Sequence, residues 1–196
     1  MDAGPKRTRE TTLQTAQPSL FGLDDVLPEG LRFEPGFVDA DEHDELLALA
    51  ATLPFIAARY QHYTARRRVC LIEPDRLPPP LQRLRDRLAR WVGIAPDDFV
   101  HALVSEYLPG TPLGWHRDAP MYELVCGVSL GGPARLRLRP HPAHADPRLG
   151  SITLDLAPRS AYSMQGPARW EWQHSVSPVP ALRYSVTMRT GRAASR

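Results

Sequence analysis

Apolar positions along this chain keep two different rhythms, and the change falls near Gly93. Before it the spacing is helical. Asp39 is placed to cap a helix, and Glu42 stands three residues on in a box-like arrangement. Leu46, Ala50 and Leu53 then form one apolar stripe, and Pro54 ends the run. A second amphipathic helix is predicted after the Pro-rich turn at 78–80. It carries Leu81, Leu84, Leu88 and Trp91 on one side and turns Arg83, Arg87 and Arg90 away. Leu31 to Val38 reads as a short strand and turn, and residues 55–73 as extended segments holding Tyr60, Tyr63 and the Arg66-Arg67-Arg68 run.

After Gly93 the period shortens to two. Strands are predicted at 100–107 and near 113–118, 123–130, 134–139, 151–155, 159–164, 170–175 and 182–189, broken by turns such as Pro109-Gly110. Two helices followed by short strands predict an α+β, mainly β fold. The expected architecture is a double-stranded β-helix (jelly roll) with two N-terminal helices packed on one sheet. Residues 1–17 are polar and aperiodic and read as a disordered tail, leaving residues 18–192 as a single domain. A length of 196 residues suits one such domain.

Composition narrows the function classes only slightly. The net charge of +2 permits an acidic partner without announcing one, because nucleic-acid binding shows as clustered rather than total charge. Cys70 and Cys126 lie far apart and make no metal-type pair, which fits reduced thiols in the cytoplasm. No signal-peptide-like segment or membrane-length apolar run is present, so a soluble monomer without membrane attachment is expected. The absence of G-x-x-x-x-G-K and G-x-G-x-x-G loops argues against nucleotide-triphosphate and dinucleotide enzymes.

Chemistry concentrates in the strand region. His116-Arg117-Asp118 follows the strand-like approach Leu113-Gly114-Trp115. Side chains two apart in extended chain point the same way, so His116 and Asp118 can share one metal ion. A second imidazole completes the two-histidine, one-carboxylate set of non-haem iron(II) oxygenases. His174 supplies one within Trp170-Glu171-Trp172-Gln173-His174-Ser175-Val176. A lone His-x-Asp is more often a solvated pair. Here it is joined by 183–189, where Arg183, Ser185, Thr187 and Arg189 alternate with Tyr184, Val186 and Met188. Two inward arginines are costly without an anion, and a dicarboxylate is a natural partner for guanidinium groups. The bland alternative is a half-exposed strand with solvated arginines.

These pieces resemble the AlkB family of iron(II)/2-oxoglutarate-dependent dioxygenases over roughly residues 18–190. The likeness is carried, in order, by Val104-Ser105-Glu106-Tyr107-Leu108-Pro109-Gly110, Gly114-Trp115-His116-Arg117-Asp118, Val128-Ser129-Leu130-Gly131, Trp172-Gln173-His174 and the Arg183–Arg189 segment. The resemblance implies that His116, Asp118 and His174 bind iron(II), and that Arg183 pairs with the distal carboxylate of 2-oxoglutarate. It further implies that Arg189 sits near Asp118 and the metal-proximal carboxylate. Tyr107 would hydrogen-bond the cosubstrate, with Ser105 and Ser185 beside it. The implied reaction consumes dioxygen and 2-oxoglutarate, forms succinate and carbon dioxide, and removes a methyl group from an N-alkylated base of DNA or RNA as formaldehyde, as in alkylation-damage repair.

The match is not uniform. Ser105 and Ser185 stand where family members often carry Asn, and Pro120 stands where some nucleic-acid demethylases carry an acidic residue. The stretch between Arg68 and Leu81 is shorter than the usual segment over the substrate pocket, which base-flipping enzymes use to hold the extruded base. Tyr60, Tyr63, Arg67, Trp115 and Arg137 are the candidate substrate contacts, as stacking rings or phosphate partners. Packing and solvated charge are their ordinary alternatives. His62, His101, His141 and His144 read as bystanders. The same chemistry on a protein side chain or small molecule is the alternative function. A binding module with a degenerate or zinc-filled site is a third reading, but a zinc hydrolase has no need of the paired arginines.

Overall fold

Asp39 starts α1 (Ala40–Thr52), its side chain accepting a hydrogen bond from the Glu42 backbone N–H at 2.8 Å. This satisfies one of the N–H groups that a helix start leaves without partners. The inner stripe of α1 buries Leu46 and Ala50. α2 (Pro79–Val92) opens on prolines, which have no N–H to satisfy, and stops at Gly93 in the left-handed conformation with φ 81°. Its Leu81, Leu84 and Leu88 are buried, each contributing about 1.5–3 kcal/mol. On the outer side Arg83 and Arg87 reach back to Glu45 and Glu42 of α1.

The structure, a computed structural model, describes residues 10–13, 27–60, 63–142 and 151–192, with residues 10–13, 59–60 and 63–65 described by backbone alone. Among the described residues the strands form two sheets. The larger runs in the order β2 (Leu31–Glu34), β10 (Ala161–Met164), β7 (Tyr122–Gly131), β12 (Arg183–Gly191), β5 (Phe99–Tyr107), β4 (Tyr63–Ile72), β3 (Ile56–Tyr60). The smaller runs β1 (Glu10–Leu13), β9 (Ser151–Leu156), β8 (Ala134–Pro140), β11 (Trp172–Val176), β6 (Leu113–His116). This is the expected jelly roll, with both helices on one face of the larger sheet.

Alternation along β12 explains how one strand serves two environments. Tyr184, Val186 and Met188 turn toward the helices and join Leu46, Leu84, Leu88, Val104 and Val128 in one buried cluster. Arg183, Ser185, Thr187 and Arg189 turn into the space between the sheets, where Leu136, Leu156 and Val176 of the smaller sheet face them.

Three expectations need correction. Within the expected tail, Glu10–Leu13 is a strand paired in parallel with β9, from Glu10 opposite Ser151 to Leu13 opposite Leu154. An edge strand offers unpaired N–H and C=O groups to any backbone, so this pairing requires no apolar period. The other residues of the expected tail lie outside the described residues. The strand expected at 170–175 begins later, because Gly166 and Pro167 start a short helix, α3 (Gly166–Trp170), ahead of β11. β6 is also shorter than expected and stops at His116. No helix among the described residues is long and apolar enough to cross a membrane.

Candidate metal centre

β6 and β11 set two imidazoles side by side. The strands are antiparallel neighbours, and His116 stands opposite His174 in register. Opposed residues bring their side chains into contact, and here the ring centroids are 4.2 Å apart. The Nδ1 of His116 lies 2.9 Å from the Gly114 carbonyl. Donation from Nδ1 leaves the Nε2 lone pair for a metal.

Asp118 arrives by a different route. Because β6 ends at His116, strand alternation does not align the two residues as expected. Arg189 of β12 holds the carboxylate instead. Its Nε donates to Oδ1 at 2.8 Å, and its Nη2 lies 2.6 Å from the same oxygen. Oδ2 is then left toward the imidazoles, 3.6 Å from His174 Nε2. One ligand atom from each of His116, Asp118 and His174 lies within 4.8 Å of the others.

The local field suits a metal ion. Burial works against charge on Asp118, but Arg189, His174 and His116 together outweigh it and hold the carboxyl at about 2. Burial, reinforced by His116, pushes His174 down to about 3, and burial also lowers His116. At neutral pH the set is one carboxylate and two neutral imidazoles, the protonation state in which these groups bind metals.

His101 is not a bystander. The register of β5 and β12 sets it opposite Arg189, and its Nδ1 lies 3.0 Å from Arg189 Nη1. Burial, with the adjacent guanidinium, lowers His101 to about 4, so at neutral pH it accepts the hydrogen bond. This contact depends on cross-strand pairing, which a one-dimensional pattern does not display.

A second group of residues lines the same cavity. Arg183 is 1% exposed, donates from Nε to Ser129 Oγ at 3.0 Å, and sits 4.9 Å from the centre of the Tyr107 ring. Its Nη1 is buried without a hydrogen-bond partner. An unmet buried donor costs about 1–3 kcal/mol, and more when charged. A carboxylate would satisfy it with a charge-assisted bond. Tyr107, Ser185 and Thr187 line the cavity beside it, together with His116, Asp118, His174 and Arg189. Ser105 is buried opposite Ser185 in register but is not among the lining residues.

Tyr162 is a lining residue that pattern reading missed. It is buried on β10, and burial pushes its phenol up. A Cβ at Gly127 would come within 2.4 Å of the Tyr162 ring, so β7 needs glycine there. A glycine inside an otherwise regular strand was the available signal.

The candidate substrate contacts separate. Arg67 of β4 lines the cavity, 6.0 Å from the centre of the Tyr107 ring. Trp115 and Arg137 do not line it. Their strand neighbours His116 and Leu136 point inward, so they point outward, with Arg137 and Arg139 at 5.1 and 4.2 Å from the Trp115 ring centre. The side chains of Tyr60 and Tyr63, like His62 and His144, lie outside the described residues.

Comparison with known proteins agrees with this arrangement. The chain is similar in fold to the protein named OsALKBH1, with TM-score 0.66 and 15% identity over 84% of this chain and 99% of that one. It is also similar to an oxidoreductase of the 2OG-Fe(II) oxygenase family from Burkholderia pseudomallei (TM-score 0.64, 20% identity, 96% of this chain and 98% of that one). A Pseudomonas putida prolyl-4-hydroxylase matches with TM-score 0.63 and 18% identity, over 86% and 96% of the two chains. Likeness at these identities speaks for the fold alone. Sequence comparison goes further, because the family described as the 2OG-Fe(II) oxygenase superfamily matches residues 31–193. The chain therefore belongs to the 2OG-Fe(II) oxygenase superfamily, whose members use iron(II), 2-oxoglutarate and dioxygen.

Proposed function

We propose that this protein removes methyl groups from N-methylated bases of DNA or RNA by oxidation, consuming 2-oxoglutarate and dioxygen and releasing formaldehyde, succinate and carbon dioxide. The observation that carries the cosubstrate assignment is the unmet Nη1 of buried Arg183 in the cavity that also holds the triad. His116, Asp118 and His174 hold iron(II), and Arg189 occupies one carboxylate oxygen of Asp118 so that the other serves as ligand. Arg183 pairs with the distal carboxylate of 2-oxoglutarate, with Tyr107 and Ser185 beside it. Bound iron with 2-oxoglutarate supplies oxidation of a C–H bond by dioxygen. The residues around it orient the reactants and exclude water, with Leu136, Leu156 and Val176 forming the apolar side of the cavity.

The choice of substrate rests on the sequence pieces that resemble the AlkB family. Segments 104–110, 114–118 and 183–189, remote in the chain, each contribute residues to the lining of one cavity. A protein named as an ALKBH1 shares this fold, so the fold is compatible with the same reading. Among the substrate candidates whose side chains are described, Arg67 lines this cavity. A prolyl-4-hydroxylase shares the fold as well, so the fold is equally compatible with a second reading, the same oxidation on a protein side chain or small molecule.

Formaldehyde release from methylated single-stranded DNA, duplex DNA and RNA, measured side by side, separates the two. Release from at least one, in step with succinate and weakened by added salt, is the expected result. Succinate formation with no formaldehyde from any of the three would transfer the assignment to the second reading.

A further inference from the structure

α3 and the segment following β6 meet at one buried cation. Arg169 is 2% exposed. Its Nη2 donates to three backbone carbonyls, those of Asp118 at 3.0 Å, Ala119 at 2.8 Å and Tyr122 at 3.0 Å. Its Nε is buried without a hydrogen-bond partner, so much of what compensates this cation comes from those carbonyls. The neighbouring residue reinforces the joint. Trp170 donates from its indole N–H to Glu123 at 3.0 Å, and its carbonyl accepts from Arg117 at 2.8 Å.

A buried guanidinium with an unmet donor is an expensive way to fill space, since an apolar side chain of similar volume is often neutral or stabilising. The three carbonyls it grips belong to the chain that carries Asp118. That residue lies beyond the end of β6, so no ladder of strand hydrogen bonds fixes its backbone. Arg189 fixes its carboxylate and Arg169 fixes its peptide. Arg169 also precedes His174 on the continuous run from α3 into β11. One side chain thereby ties the two segments that bring Asp118 and His174 together.

We infer that Arg169 is a positioning residue of the metal site, holding the Asp118-bearing segment against the His174-bearing segment without itself touching the metal. The inference rests on the reading of His116, Asp118 and His174 as metal ligands. It also specifies what kind of donor is required. A single nitrogen serves all three carbonyls, so a point donor is needed more than the planar two-pronged fork of arginine. A lysine ammonium, with three N–H bonds on one nitrogen, is therefore a partial substitute, whereas methionine is not.

The test uses the full chain, freed of metal and titrated with cobalt(II), which binds the same ligand types as iron(II). Cobalt absorption, 2-oxoglutarate affinity at saturating cobalt, and the melting temperature of the metal-free protein are read for each variant. Arg169→Met is expected to raise the cobalt Kd by about 10- to 100-fold, the usual effect of removing a group that orients metal ligands. Arg169→Lys is expected to recover most of that loss, with 2-oxoglutarate affinity at saturating cobalt little changed in both. A folded Arg169→Met protein with wild-type cobalt affinity overturns the inference, whatever its melting temperature. If Arg169→Met does not fold, Arg169→Gln is read in its place by the same criterion. Failure of both to fold makes the residue a structural one and also overturns the inference. Wild-type protein that binds no cobalt contradicts instead the reading of the triad.

Discussion

Replacing Asp118 with alanine is expected to lower succinate formation by about 10³-fold or more, equivalent to ~4 kcal/mol of barrier, and to destabilise the metal-free protein. The two effects have separate causes. Loss of activity follows from leaving two imidazoles to hold the metal, since Asp118 is the one carboxylate in the set. Loss of stability follows from Arg189, whose Nε and Nη2 both rest on Asp118 Oδ1. Removing that oxygen leaves a largely buried guanidinium without its counter-charge, a change that costs about 3–5 kcal/mol. His101 remains in contact with Arg189, but a neutral imidazole does not replace a carboxylate. Succinate quantified after turnover and a denaturant titration of the metal-free protein read the two effects. An Asp118→Ala protein that keeps more than a tenth of wild-type turnover contradicts the ligand assignment.

Arg183→Met is expected to move affinity and stability in opposite directions. Pairing of Arg183 with a carboxylate through charge-assisted hydrogen bonds, at about 1.5–3 kcal/mol each, implies a loss of about 10²-fold or more in 2-oxoglutarate affinity. The metal-free protein, by contrast, carries the unmet Nη1 as a burden. Methionine fills much of the same volume and removes that donor, at the expense of one bond to Ser129. Stability is therefore expected to stay level or rise by about 1–2 kcal/mol. Calorimetric titration with 2-oxoglutarate and a thermal melt without it are the two readings. Unchanged 2-oxoglutarate affinity contradicts the assignment. A fall in stability of several kcal/mol would mark Arg183 as a structural group instead.

The parts of this architecture that follow from local rules were legible in the sequence. The Asp39 cap, the leucine stripe of α2 and the two faces of β12 each depend on residues a few positions apart. The parts that depend on which strands become neighbours were not. His116 and His174 meet because β6 pairs with β11, a contact between segments remote in sequence. His101 reaches Arg189 for the same reason.

Asp118 reaches His116 and His174 by a route other than the expected one. Alternation with His116 was expected to aim it, but the strand stops short, and two arginines from other elements do the aiming. Trp115 and Arg137 show the limit in reverse. Arg135, Arg137 and Arg139 alternate with Leu136 and Leu138, but alternation alone does not say which face meets the cavity. The core claimed the leucines, and the arginines went outward. Arg169 falls between the strands expected at 159–164 and 170–175 and gives no sequence signal, whereas Gly166 and Pro167 start a helix there that delivers the side chain to the Asp118 segment.

The central claim is that His116, Asp118 and His174 hold an iron(II) ion on which 2-oxoglutarate turnover depends. Its most direct test is succinate formation from 2-oxoglutarate by metal-free protein in air, with and without added iron(II). Succinate that forms only when iron(II) is added, and stops when it is chelated, is the predicted result. Succinate formed at the same rate by the metal-free protein would contradict it.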